Sequence, residues 1–412
     1  MMTNWYKACP ILKTPSGYSR SGIEVYRLFK VSLMYLSLSL ILLGHAMADT
    51  SSDNLQFVID DQVVSDPADT MFDPEFDQVD GFFTWQDLQL KLWVGKVDQT
   101  TGELIPPNGR GQLIAQGLAP ITTTGNGPEW AYSAGGQQIV FTKIIQGVYR
   151  LAVAKYIKGA WATQLLLKGQ YRLAPGGSKD LNDPMPRIVY VIYSPDEVGP
   201  RWRKLNDPRS ELRVPNDPSH PFFSTLVEGS DTLLFVGSNQ NGVTQCSYYD
   251  MSTQITTPIS FDAGNKKYGF MWRSPEFDND WVAFCSKDTA FADELGVYRN
   301  FNNTWTKILA LAPPSRKYFY SAEKFVYNGK SYIFFVTVDA TPTLDEGDGD
   351  VWIAGIDPEN PFYRQVSSSV PMMRRDPEVF ITSQGPFIYY TEITKDHRGI
   401  THRCATGLGQ PQ

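Results

Sequence analysis

Five glutamates in this chain stand in nearly the same local setting: Pro74-Glu75-Phe76, Pro128-Glu129-Trp130, Pro275-Glu276-Phe277, Ala322-Glu323-Lys324-Phe325 and Pro377-Glu378-Val379. A carboxylate repeated in one frame is either a structural device copied along the chain or a set of oxygen ligands gathered at one place. If they are gathered, a pair of them suits general acid and base work on a glycosidic bond. That chemistry makes Glu276, Glu323 and Glu378 candidate catalytic residues. A binding role draws on Glu75, Glu129, Glu276, Glu323, Asp376 and Glu378, with Arg374 and Arg375 beside them. The guanidinium fork matches a carboxylated ligand such as a uronate, and it equally serves to neutralise neighbouring glutamates.

A second acidic feature is the loop from Asp339 to Asp350, in which Asp345, Asp348 and Asp350 alternate with Gly347 and Gly349. Flexible backbone and carboxylate oxygens suit Ca2+, although the spacing is not that of an EF-hand. A solvated acidic turn is the alternative reading. Past residue 48 the histidines are His220, His397 and His402; the last two straddle an Arg398-Gly399 turn and are expected at the surface. No nucleophile elbow or phosphate loop is present. Trp85, Trp130, Trp202, Trp272 and Trp352 offer either sugar-stacking surfaces or packing between sheets.

The elements that must position these groups are written in the same repeat. Counting Pro184-Met185 and Pro221-Phe222-Phe223 with the five gives seven openings, at intervals of 54, 56, 37, 54, 47 and 55. Each precedes short apolar and aromatic runs broken by glycine turns, such as Gln138–Lys143, Val148–Tyr156 and Trp161–Leu167 in the second repeat. Repeats near 50 residues with four short strands each define an all-β propeller, here with seven four-stranded blades. First strands line the central channel, so the glutamates form a partial ring interrupted by Met185 and Phe222. The third repeat is compressed and is expected to lack an edge strand. The last blade runs out after three strands, and Asn54–Ile59 is expected to supply the fourth, closing the ring and removing two exposed edges.

The N-terminus reads as a targeting segment. Arg27 and Lys30 precede an apolar run, Val31 to Gly44, and Ala46-Met47-Ala48 comes next as a small-residue cleavage signal, so residues 1–48 are expected to leave and 49–412 to form one propeller domain. The run is shorter than a membrane span needs, so no stable span is expected once it is cleaved. From totals of 37 basic and 44 acidic residues the cleaved segment removes five and one, leaving a net charge of about −11. A chain so acidic has no footprint for nucleic acid. Three cysteines remain, Cys246, Cys285 and Cys404; an odd number in apparent strands reads as buried apolar filler.

Two resemblances attach to particular residues. Gly127-Pro128-Glu129-Trp130-Ala131-Tyr132 through Gly135-Gly136 to Ile139-Val140-Phe141, with Gly349-Asp350-Val351-Trp352-Ile353-Ala354, resembles the repeat of bacterial TolB-type, WD-like propellers. Arg375-Asp376-Pro377-Glu378-Val379-Phe380 with Gly385–Thr391 is similar to blade openings of five-bladed arabinanase and invertase-type glycosidases, which implies carboxylates at the axial mouth. The expectation is a secreted or periplasmic binding propeller taking a carbohydrate, another polar ligand or a protein partner at that mouth. A glycosidase or polysaccharide lyase, and a non-catalytic scaffold, are the rival expectations.

Overall fold

The computed structural model describes residues 57–66, 69–105, 111–124, 126–214, 224–238, 241–288, 292–339 and 347–409. From residue 58 onward these form one compact unit, and the expected signal segment lies outside the described residues. Seven antiparallel sheets stand in a ring, each running from an inner first strand to an outer fourth. The inner strands of blades 1 to 7 are Phe72–Phe76, Glu129–Ala131, Arg172–Gly177, Ser224–Leu226, Asn265–Ser274, Tyr318–Tyr327 and Met373–Thr382.

Alternation along the second strands explains why the sheets stack. Ile139 and Phe141 face one neighbouring cluster and Val140 another, all fully buried, and Phe334 and Phe335 divide in the same way. A strand covered on both faces needs apolar residues at every position. This is why Thr232–Ser238, Asp280–Asp288 and Lys330–Val338 read as near-continuous apolar runs.

The third blade differs from its expected form. It has four strands, Arg172–Gly177, Arg187–Tyr193, Val198–Lys204 and Leu212–Arg213, the last of only two residues. The basic, proline-flanked segments are its third and fourth strands. Arginines of this blade are drawn inward: Arg203 on the third strand is fully buried, and Arg172 on the first pairs with Glu211 at 2.7 Å.

Closure occurs with a shifted strand. Asp61–Val63, not Asn54–Ile59, pairs with Gly399–Ala405 of blade 7, in the register Asp61 with Cys404 and Val63 with His402. Residues 57–60 are not strand, and 51–56 lie outside the described residues. The strand is placed by a polar anchor. Asp61 accepts from both the Tyr390 hydroxyl (2.8 Å) and the Ser368 amide (2.7 Å), and it meets His402 Nδ1 at 3.0 Å. The second ring nitrogen of His402 meets Glu392 at 3.0 Å, and the ring stacks on Tyr390 with centroids 4.8 Å apart. His402 is therefore buried, 6% exposed, and not at the surface as expected.

Candidate functional site

Register identifies the equivalent inner positions. Glu75 pairs with Thr84, Glu129 with Val140, Gly176 with Val189, Gly269 with Cys285, Glu323 with Phe334 and Glu378 with Tyr389, each opposite the middle of a second strand. In blades 1, 3, 5, 6 and 7 a break in register comes immediately before this residue. Two positions earlier Asp73, Ala174, Ser321 and Asp376 hold φ of 52, 50, 46 and 47°. An inserted residue in the left-handed region is a bulge that bends the strand and re-aims the side chains after it. Here it turns the glutamates toward the axis.

Two repeat openings were therefore misplaced. Pro275-Glu276-Phe277 is a 3₁₀ turn after the inner strand of blade 5, where Glu276 accepts from the Ser331 amide at 3.1 Å, away from the ring. Pro184-Met185 lies in the hairpin after the inner strand of blade 3. The true equivalents are Gly269 and Gly176. A side chain is excluded at Gly269, since a Cβ there would come 2.2 Å from the Phe284 carbonyl oxygen. Phe222 lies outside the described residues. The ring is thus acidic over blades 6, 7, 1 and 2, through Glu323, Glu378, Glu75 and Glu129, and carries glycine on blades 3 and 5.

Asp73 and Asp376 join the four glutamates as inner-strand carboxylates that act on one another electrostatically. Burial pushes Glu378 well above the usual carboxylate range, and the charges of Glu323, Glu75, Glu129 and Asp73 push it further. Glu75 is raised by burial and then by Glu129. Asp73 is raised by burial and then by Asp376 and Glu129. Glu323 is pushed up to about 8, by burial first and Glu129 second. Groups on blades 2 and 6 feel one another only across the axis, so the six form one electrostatically linked set, although no three of them come close enough to hold a metal ion.

The surroundings supply only partial relief. Lys179 reaches Glu129 Oε2 at 3.8 Å, and Asn126 donates to Glu129 Oε1 at 3.0 Å. With burial opposing them, these two leave the Glu129 carboxyl still raised. Asp73 accepts from the Gly127 amide at 2.7 Å, which ties blade 1 to blade 2. For Asp376 burial is the larger effect, and Arg375 and the Ser321 hydroxyl offset part of it. Asp73, Lys179 and Asn126 were missed in the sequence. The matching tripeptides Asp73-Pro74-Glu75 and Asp376-Pro377-Glu378 were the available signal for the first.

Other candidate residues have structural employment. Arg374 is fully buried; it donates to the carbonyls of Gly349, Ser368 and Val370 and lies 3.8 Å from Asp61, so it does not face the axis. Arg375 donates to the Arg374 carbonyl at 2.8 Å and lies over the Tyr320 ring. Asp350 accepts from Arg316 Nε at 2.8 Å and from the Ser315 hydroxyl at 3.0 Å. A calcium ion there would compete with a guanidinium already in place. Asp345 lies outside the described residues, and among those described no three metal-ligating side chains cluster, Asp348 and Asp350 included. The tryptophans pack inward: Trp130 Nε1 donates to the Glu75 carbonyl at 3.0 Å and Trp272 Nε1 to Ser331 at 3.0 Å. Cys246, Cys285 and Cys404 are free and buried, as expected.

The molecule is a seven-bladed β-propeller with an acid-lined axis. No family model and no curated protein matches the chain. Among solved structures it is similar to TolB from Acinetobacter baumannii, at 12% identity over 82% of this chain and 80% of that one, with a TM-score of 0.35. It is also similar to Trypanosoma rangeli sialidase in complex with sialic acid, at 10% identity over 84% and 60%, TM-score 0.43. A puromycin-hydrolysing peptidase of Mycobacterium tuberculosis matches at 13% identity over 84% of this chain and 55% of that one, TM-score 0.50. At 13% identity the likeness to the peptidase is one of fold alone. Among the described residues no helix is long and apolar enough to cross a membrane.

Proposed function

We propose that this is an exported binding propeller whose axial carboxylates take a cationic group of a ligand or protein partner. One observation carries the reading: Asp73, Glu75, Glu129, Glu323, Asp376 and Glu378 are all held above their usual range, against the relief of Lys179, Arg375 and Lys324. An arrangement that stores like charge is destabilising, and such sites belong to function more often than to folding. A cation entering the axis relieves the repulsion and displaces protons, so its affinity rises with pH as the carboxylates ionise. Trp85, Trp130, Trp202 and Trp272 are buried and offer a neutral sugar no stacking surface, so the inner carboxylates favour a cationic ligand.

A glycosidase remains the second reading on a specific ground. Glu323, pushed up to about 8, keeps its proton at neutral pH, and a protonated carboxyl is what the acid step of glycoside cleavage requires. A thermal-shift titration of the purified protein separates the two. Trilysine should raise the melting temperature more at pH 8 than at pH 6, by about 2.7 kcal/mol of stability at a hundredfold excess over its Kd. The shift should vanish in Glu323→Gln/Glu378→Gln. Absence of any shift with trilysine, together with release of reducing sugar from an oligosaccharide panel, would replace binding by catalysis.

A further inference from the structure

The outer edge of blade 2 differs from every other outer edge in the ring. Its strand Ala160–Gln170 has 11 residues, whereas the outermost strands of the other blades, such as Leu212–Arg213, Ile255–Pro258 and Thr304–Leu311, have two, four and eight. Short edges keep sheets from pairing with foreign strands, and a long apolar edge invites it. Leu165 is 43% and Leu167 73% exposed on this one. The exposure of Leu167 is built in. Register is lost between Leu165 and Gln170, Lys168 takes φ of 50°, and the fully buried Arg203 donates to the Leu167 carbonyl at 2.9 Å, fixing the bulge from within.

Charge narrows the occupant. From Trp130 to Tyr171 the chain carries Lys143, Arg150, Lys155, Lys158 and Lys168 and not one Asp or Glu, in a protein of net charge −7. None of the five forms an ion pair among the described residues. Arg150, Lys155, Lys158 and Lys168 lie on the outer two strands or the turn and bulge that join and end them, with Lys155 opposite Ala162 and Arg150 opposite Gln170. Among the described residues the outer hydrogen-bonding side of residues 160–165 pairs with no other strand, since this strand ends its sheet.

We propose that this edge docks an extended acidic segment of another protein as an added strand. The main chain of that segment pairs along Ala160–Leu165, its apolar side chains cover Leu165 and Leu167, and its carboxylates meet Lys155, Lys158 and Lys168. A second copy of this chain would set cations against cations and is not the occupant.

The test is fluorescence anisotropy of a labelled peptide of alternating Glu and Val with the purified protein. Binding should weaken with salt, fall about tenfold or more in Lys155→Glu/Lys158→Glu/Lys168→Glu, and fall as well in Leu167→Asp. Lys155→Gln/Lys158→Gln/Lys168→Gln gives the same readout if the reversed variant does not fold. Glu323→Gln should leave peptide binding unchanged, which separates this edge from the axis. No binding to the wild type, or equal binding to the charge variants, overturns the proposal. It is overturned too if phosphatidylserine vesicles bind in a lysine-dependent way while the peptide does not, or if sedimentation shows a dimer joined through this edge.

Discussion

The propeller buries two groups of charge and treats them in opposite ways. At the closing seam, Asp61 is opposed by burial, yet His402, the Ser368 amide and Tyr390 together hold it well below the usual carboxylate range. Arg374 lies 3.8 Å from the same carboxylate, and Glu392 accepts from the far nitrogen of the His402 ring, so the buried anion sits among donors and positive charge. On the inner strands six carboxylates repel one another with few cations to offset them, and each is pushed upward. The seam thus draws stability from its charge, while the axis gives stability up.

The largest effect should come from breaking the seam. Asp61→Ala leaves Arg374 buried beside an uncompensated gap and should lower stability by about 3–5 kcal/mol in urea denaturation. Glu323→Gln should do the reverse and stabilise the protein at pH 8 by about 1–2 kcal/mol, since one pKa unit is worth ~1.4 kcal/mol. The sign comes from linkage. Glu323 has a raised folded pKa, so its contribution is present below its unfolded value of 4.5 and is lost as pH climbs toward about 8. The Gln variant should therefore gain nothing near pH 4. Asp61, with a lowered folded pKa, contributes above its unfolded 3.8 and loses that contribution in acid. Melting temperature against pH should accordingly fall on both sides of a maximum, the alkaline limb flattening in Glu323→Gln and the acid limb in Asp61→Asn. Tyr390→Phe, which removes one hydroxyl donor from Asp61, should cost about 1 kcal/mol by the same denaturation.

The blades were legible because a strand buried on both faces writes an unbroken apolar run, as Ile333–Phe334–Phe335–Val336 does. The ring was legible only where its residue is glutamate. Proline marks the inner bulge at Pro74 and Pro377 and the start of the inner strand at Pro128, but it also marks the turn at the far end of an inner strand at Pro184 and Pro275, and spacing alone does not separate these uses. Gly176 and Gly269 carry no side chain to betray an equivalent place. The seam was legible as a need for closure but not in its register. Asp61 is chosen by Tyr390, His402 and Ser368, partners more than 300 residues away.

That separation governs how the ring is finished. Asp61 and His402 stand 341 residues apart, and bringing them together as one flexible loop would cost on the order of 5 kcal/mol in chain entropy. Once six blades have stacked, most of that cost has been met by contacts between neighbours. The last step is then the arrival of a three-residue strand at an edge that has been waiting for it. Folding should end at this junction and unfolding begin there, so the residence time of Asp61–Val63 against Gly399–Ala405 sets how long the edge of the last blade stays hidden from proteases and from other chains.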